Sequence, residues 1–170
     1  AWCSGLTYVE IKWERAFSRF GAFPLCGLTG LKEVEINAGN SLTSFEGFPT
    51  LSGNPRVTIN GAAPTDLSPL QHLGSSKLEL KYCTINDLAP LAKMPNLSEL
   101  NLYGATVKDF SPLANCEKLK KLTYYAVEEA DFSTLGALIH LRSGPIASLV
   151  SSSLISLRLA KGDISARHLL

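Results

Sequence analysis

The carboxylates Asp66, Asp87, Asp109 and Asp131 recur at intervals of 21, 22 and 22 residues. Acids spaced so regularly have two readings. A metal ladder needs several oxygens converging on each ion, as calcium does. A capping series needs only that each carboxylate accept from backbone N–H groups of the turn that follows it. In three of the four cases a proline (Pro69, Pro90, Pro112) stands three residues after the Asp. Proline is tolerated in a first helical turn, where its missing donor costs little. The spacing therefore predicts N-capped turns and no metal.

The remaining chemistry-bearing residues form no recognisable constellation. His72, His140 and His168 lie in no H-E-x-x-H pattern and beside no spaced cysteine. A Ser–His–Asp set is defined in space, but the G-x-S-x-G elbow that often carries one is absent. So are the glycine-rich phosphate loops. Cys3, Cys26, Cys83 and Cys116 form no C-x-x-C. Cys83 and Cys116 read as buried thiols, whereas Cys3 and Cys26 flank the N-terminal segment and would pair in an exported protein. The expectation is a chain without catalytic residues, metal or cofactor.

The elements that position these residues repeat. Val57-Thr-Ile59 leads to Asp66, Leu78-Glu-Leu80 to Asp87, Leu100-Asn-Leu102 to Asp109, and Leu122-Thr-Tyr124 to Asp131. A degenerate unit, Val34-Glu-Ile36 with Leu42, Phe45 and Phe48, precedes them, and Leu157-Arg-Leu159 with Ile164 follows. The paired apolar residues alternate with period two, so both face one side of a short strand. One such strand is not stable alone; stacked units give a parallel sheet and a continuous core. The apolar pairs three apart after each Asp (Leu70 and Leu73, Leu91 and Met94, Leu113 and Cys116) suit a short helical or 3₁₀ segment. Val9 and Ile11 predict one more strand. Trp13, Ala16, Phe17 and Phe20 predict an amphipathic helix covering the first unit. Residues 1–30 thus read as a cap or long first repeat, 31–142 as the repeats, and 143–170 as an irregular last repeat or cap.

The phrases DLSPLQHL, DLAPLAKMPNL and DFSPLANCEKL resemble those of the leucine-rich-repeat family, in its 22-residue bacterial internalin-type and SDS22-like class. The resemblance covers about residues 31–142. It implies an α/β solenoid, a right-handed superhelix with a parallel concave β-sheet and short helical or 3₁₀ segments on the convex side. The chain departs from the family at one column. Where the family usually places an asparagine whose amide bonds neighbouring turns, this sequence has Gly39, Ala62, Cys83, Ala105 and Val127.

Composition narrows the function. With 170 residues, 45% hydrophobic and 18% charged, the chain carries enough apolar material for a core. A net charge of +1 gives no general affinity for nucleic acid. No apolar run is long enough to insert in a membrane. The opening residues, AWCSGLTYVEIKWER, lack the pattern of a signal peptide, so a cytoplasmic protein is expected, or a secreted one if an export signal was removed.

Strand alternation also names the outward positions. They include Tyr8, Glu10, Lys12, Glu33, Glu35, Asn37, Arg56, Thr58, Asn60, Lys77, Glu79, Lys81, Glu99, Asn101, Tyr103, Lys121, Thr123, Tyr125 and Arg158. Their mixed charge suits a protein partner. Tyr103 and Tyr125 fall in equivalent places of adjacent units and read as its anchor, since tyrosine is enriched at binding hot spots. Around them Arg56, Glu79, Lys81, Glu99, Asn101 and Lys121 complete the expected contact set. Tyr82 and Tyr124 are nearby; Tyr124 replaces an inward leucine and is expected to be packed. The sequence thus points to a non-catalytic domain that binds a protein through its concave face, in the specific form of a bacterial toxin or effector inhibitor, an immunity protein. The alternatives are a secreted or surface internalin-like virulence protein that engages a host protein, and the targeting module of a larger effector enzyme.

Overall fold

The computed structural model describes residues 5–12, 28–125, 154–160 and 163–167. Five short parallel strands begin the main sheet in regular steps: β1 (Tyr8–Lys12), β2 (Glu33–Asn37), β3 (Arg56–Asn60), β4 (Lys77–Lys81) and, two elements later, β6 (Glu99–Tyr103). β8 (Lys121–Tyr125) continues the run. Neighbours pair without stagger: Val34 lies beside Val57, Val57 beside Leu78, Leu78 beside Leu100 and Leu100 beside Leu122. The pleat therefore sends equivalent residues of every unit to the same side.

The inward pairs build the core. Val34, Ile36, Val57, Ile59, Leu78, Leu80, Leu100, Leu102, Leu122 and Tyr124 are all buried. Against them pack Leu67, Leu70, Leu73, Leu88, Leu91, Met94, Phe110 and Leu113 from the opposite wall. That wall is made of the 3₁₀ turns Ser68–His72 and Ser111–Asn115 and the single helical turn α1 (Ala89–Ala92). A second small parallel pair, β5 (Thr84–Ile85) and β7 (Thr106–Val107), lies between sheet and turns.

Each turn begins as the Asp–x–x–Pro spacing predicts, with one refinement. Asp66, Asp87 and Asp109 sit one residue ahead of the strict N-cap, which is Leu67, Leu88 or Phe110. Their carboxylates accept from the N–H two residues on, at Ser68, Ala89 and Ser111, each at 2.8 Å. A short side chain reaches the i+2 N–H more easily from this place, as in an Asx turn. The Ser68 backbone and hydroxyl bonds hold the Asp66 carboxyl below the usual carboxylate range.

The missing asparagines are replaced largely by main chain. Past the strand ends the ladder continues from Ala38 N–H to Asn60, Gly61 to Lys81, Tyr82 to Tyr103 and Gly104 to Tyr125, at 2.7–2.8 Å. A second ladder runs from Ala63 to Leu42, Thr84 to Ala62 and Thr106 to Cys83. At Cys83 the buried thiol lies 3.3 Å from the Lys81 carbonyl. Cys116 is half-buried; burial raises both thiols to about 11.

The end of the sheet corrects one expectation. Leu157-Arg-Leu159 does not open another parallel unit. It lies in β9 (Leu154–Ala160), which runs antiparallel to β8, and β10 (Asp163–Arg167) then runs antiparallel to β9. A period-two pattern fixes which residues share a face but not which way the strand runs, and an antiparallel return needs no crossover turn. The strand order is β1-β2-β3-β4-β6-β8-β9-β10. The aromatic stripe of Trp13, Phe17 and Phe20, together with Cys3, Cys26, Val127, Asp131, His140 and His168, lies outside the described residues, as do 136–153.

Candidate functional site

Because the strands pair in register, the outward residues form three rows across the sheet. The first row runs Tyr8, Glu33, Arg56, Lys77, Glu99, Lys121. The middle row runs Glu10, Glu35, Thr58, Glu79, Asn101, Thr123. The third, at the C-terminal ends of the strands, contains Lys12, Asn37, Asn60 and Lys81, and then Tyr103 beside Tyr125.

Across the first three strands the side chains tie neighbouring units together. Tyr8 donates its hydroxyl to Glu35 Oε2 at 3.1 Å. Asn37 donates to Glu10 at 3.0 Å, and Asn60 donates to Glu35 at 3.0 Å and to Asn37 Oδ1 at 2.7 Å. Lost hydration and the Glu35 carboxylate hold the Tyr8 phenol above its ordinary pKa.

The next strands carry a denser group centred on Glu79. One of its oxygens takes Arg56 at 3.2 Å; the other takes Lys81 at 2.7 Å and the Asn101 amide at 3.4 Å. Lys77 reaches Glu99 at 3.0 Å, and this bond keeps the Glu99 carboxyl below its usual range. Arg56, Lys77, Glu79, Glu99, Asn101, Lys121 and Thr123 surround a shallow pit of about 60 Å³, lined also by Leu78 and Leu100. Asn101 Oδ1 is buried there without a hydrogen-bond partner. Rotating the amide would set that oxygen against the Glu79 carboxylate, so the orientation observed is the one electrostatics favours.

At the far end of the third row the tyrosines stack. The rings of Tyr103 and Tyr125 lie 4.7 Å apart and 10° from parallel. Tyr82 meets Tyr103 edge to face, at 5.5 Å and 82°. Tyr82 is 56% exposed and Tyr103 37%. Tyr124 points the other way and is buried, packed at 4.8 Å against Phe110.

The structure thus gathers Arg56, Glu79, Glu99, Asn101 and Lys121 around one pit, attaches Lys81 to it through Glu79, and places Tyr103 and Tyr125 at its margin. Sequence reasoning put Lys77 and Thr123 on the face but did not name them as contacts, and it noted Tyr82 as near the anchor without counting it among the contacts. A signal for Tyr82 was present: its column holds Gly61 one unit before and Gly104 one unit after. His72 is exposed at the end of its 3₁₀ turn, away from this face. Among the described residues no cluster of three or more His, Cys, Asp or Glu side chains is arranged to hold a metal ion.

No protein-family model and no curated protein matches the chain. Solved structures do. An internalin (inlF) from Listeria monocytogenes superposes with a TM-score of 0.52 at 24% identity, over 70% of this chain and 35% of that one. Internalin C2 (inlC2) from the same species gives a TM-score of 0.52 at 25% identity, over 68% of this chain and 51% of that one. The chain therefore spans about a third to a half of the length of the proteins it matches.

Proposed function

We infer, for a chain that is a leucine-rich-repeat solenoid of the internalin type, that its concave face binds another protein and carries out no catalysis. One observation supports this above the rest. Arg56, Lys81 and Asn101 are already held on Glu79, and Lys77 on Glu99, while the Tyr103–Tyr125 stack beside them stays accessible. A surface of fixed shape loses little conformational freedom on binding, and rigid aromatic anchors are what such interfaces use. The shallow pit has the size of a site for one protruding side chain, far below that of a small-molecule pocket.

The finer reading is an inhibitor that covers a toxin or effector of the producing cell, acting in the cytoplasm. The internalin-like fold favours a second reading, an exported binder of a host protein. Affinity capture separates them: immobilised wild type and a Tyr103→Ala/Tyr125→Ala double variant are exposed to lysate of the producing cell and to host membranes. A stoichiometric protein taken from the cell's own lysate, and lost by the variant, supports the inhibitor. One taken only from host material supports the exported binder. Equal retention by both proteins overturns the concave face as the interface.

A further inference from the structure

We propose that Tyr82 is a binding residue held at a cost to stability, and that with Tyr103 and Tyr125 it forms a ridge for an acidic, aromatic-containing segment of the partner. This rests on the concave-face reading above and adds to it a residue and a partner chemistry.

The argument starts from one column of the repeat. Directly after their strands, Gly61, Tyr82 and Gly104 take φ values of +73°, +53° and +65°. Each then donates its N–H to the last strand residue of the next unit. Three consecutive units share this left-handed conformation, whereas Ala38, which makes the same bond after β2, does not take it. Glycine adopts it freely; a side chain with a Cβ does so at a cost. Asparagine, which holds the same kind of conformation at residues 40 and 54, can offset the cost with local side-chain hydrogen bonds. Tyrosine has no such means.

Within the described fold, only the edge-to-face contact with Tyr103 and the packing over Gly104 offset that cost at Tyr82. The side chain is more than half exposed, so core burial does not offset it. Its hydroxyl makes no hydrogen bond to a described residue. Yet the ring is not loose. It meets Tyr103 edge to face, and it lies over Gly104 so closely that a Cβ there would come within 2.7 Å of Cδ1. An exposed ring held in one pose on a strained backbone is the pattern of strain kept for function.

The chemistry of the ridge points to the partner. The rings are engaged with one another, and the hydroxyls of Tyr82 and Tyr103 have no bonds to described residues. They remain as donors beside Lys81. On this half of the face four cations (Arg56, Lys77, Lys81, Lys121) stand against two carboxylates (Glu79, Glu99). The complement is a segment whose carboxylates meet the phenols and ammonium groups and whose aromatic side chain packs on the exposed Tyr82 ring.

The test uses a short fluorescein-labelled peptide of glutamate, phenylalanine and proline, and its counterpart with lysine for glutamate. Fluorescence anisotropy is read with wild type, Tyr82→Gly and the Tyr103→Ala/Tyr125→Ala double variant, and urea unfolding is followed for each. The acidic peptide is expected to bind wild type and to lose about tenfold in affinity with Tyr82→Gly, the scale of one interface anchor. The urea midpoint of Tyr82→Gly is expected to equal or exceed that of wild type. A lowered midpoint makes Tyr82 a packing residue and overturns the strain argument. Unchanged affinity in Tyr82→Gly, with loss in the double variant, overturns the role of Tyr82 while leaving the concave face standing. Preference for the lysine peptide, or binding of neither, overturns the acidic partner. Binding unaffected by every variant overturns the face together with the ridge.

Discussion

Gly104 and Tyr82 compete for a space that admits only one side chain: a Cβ on Gly104 would stand 2.7 Å from Cδ1 and 2.8 Å from Cε1 of the tyrosine. Gly104 also sits at φ +65°. Gly104→Ala therefore meets two penalties, the left-handed backbone and the displaced ring. It should lower stability by about 1–2 kcal/mol or more. Urea unfolding measures this, and the paired variant Tyr82→Gly/Gly104→Ala should recover the part due to the ring.

Phe110 is fully buried and packs edge to face on Tyr124, the aromatic residue that replaces an inward leucine. Phe110→Ala leaves a hole between the sheet and the turn wall. A loss of about 3–5 kcal/mol is expected. Phe110→Leu, which refills much of the volume, should cost clearly less. Chemical denaturation of the two variants side by side checks the difference.

Asp66 accepts from the Ser68 N–H and hydroxyl, and its folded pKa is depressed. A depressed carboxylate stabilises the fold above its unfolded pKa of about 4 and loses that contribution as pH falls through the lower, folded value. Stability should therefore decline on acidification below about pH 4. Asp66→Asn, which keeps an accepting oxygen but does not titrate, should decline less steeply. Because the carboxyl is exposed, the difference is small and is best read from urea midpoints across a pH series.

Burial raises the thiols of Cys83 and Cys116 to about 11. At neutral pH about one thiol in ten thousand is then the reactive thiolate. Alkylation followed by site-resolved mass spectrometry should find Cys83 unmodified in the native protein and labelled in urea. Cys116, half-buried, should react sooner than Cys83.

Much of this structure was legible because leucine and its substitutes return at constant intervals. Leu78 and Leu80, one turn from Leu100 and Leu102, state the strand, its inward face and its neighbour at once. The Asp–x–x–Pro phrase states where the chain turns. Other features leave no such trace. The direction of β9 is invisible in Leu157-Arg-Leu159, since alternation reads the same both ways. The lost asparagine column gave no hint that main-chain ladders and the Cys83 thiol would serve instead. Ser75 shows the same limit. It occupies a column held by Leu31, Leu97 and Leu119, yet it is buried because its hydroxyl donates to the Pro55 carbonyl at 2.6 Å and accepts from the Lys77 N–H at 3.1 Å. At the ridge, comparison of strand residues gave Tyr103 and Tyr125 a contact role but left Tyr82 as a neighbour, since it lies one residue beyond the strand.

The absence of stagger between strands makes the concave face a vernier. Its columns recur every strand, at about 4.8 Å, whereas an extended peptide laid across them presents same-side residues about every 6.8 Å. The two scales fall into step only after about seven strands and five such residues. A segment that slips by one of its own same-side steps therefore falls out of phase with the columns, and one that moves by whole strands exchanges the Tyr103–Tyr125 stack for Lys81 and Asn60, so the face assigns its partner a single position.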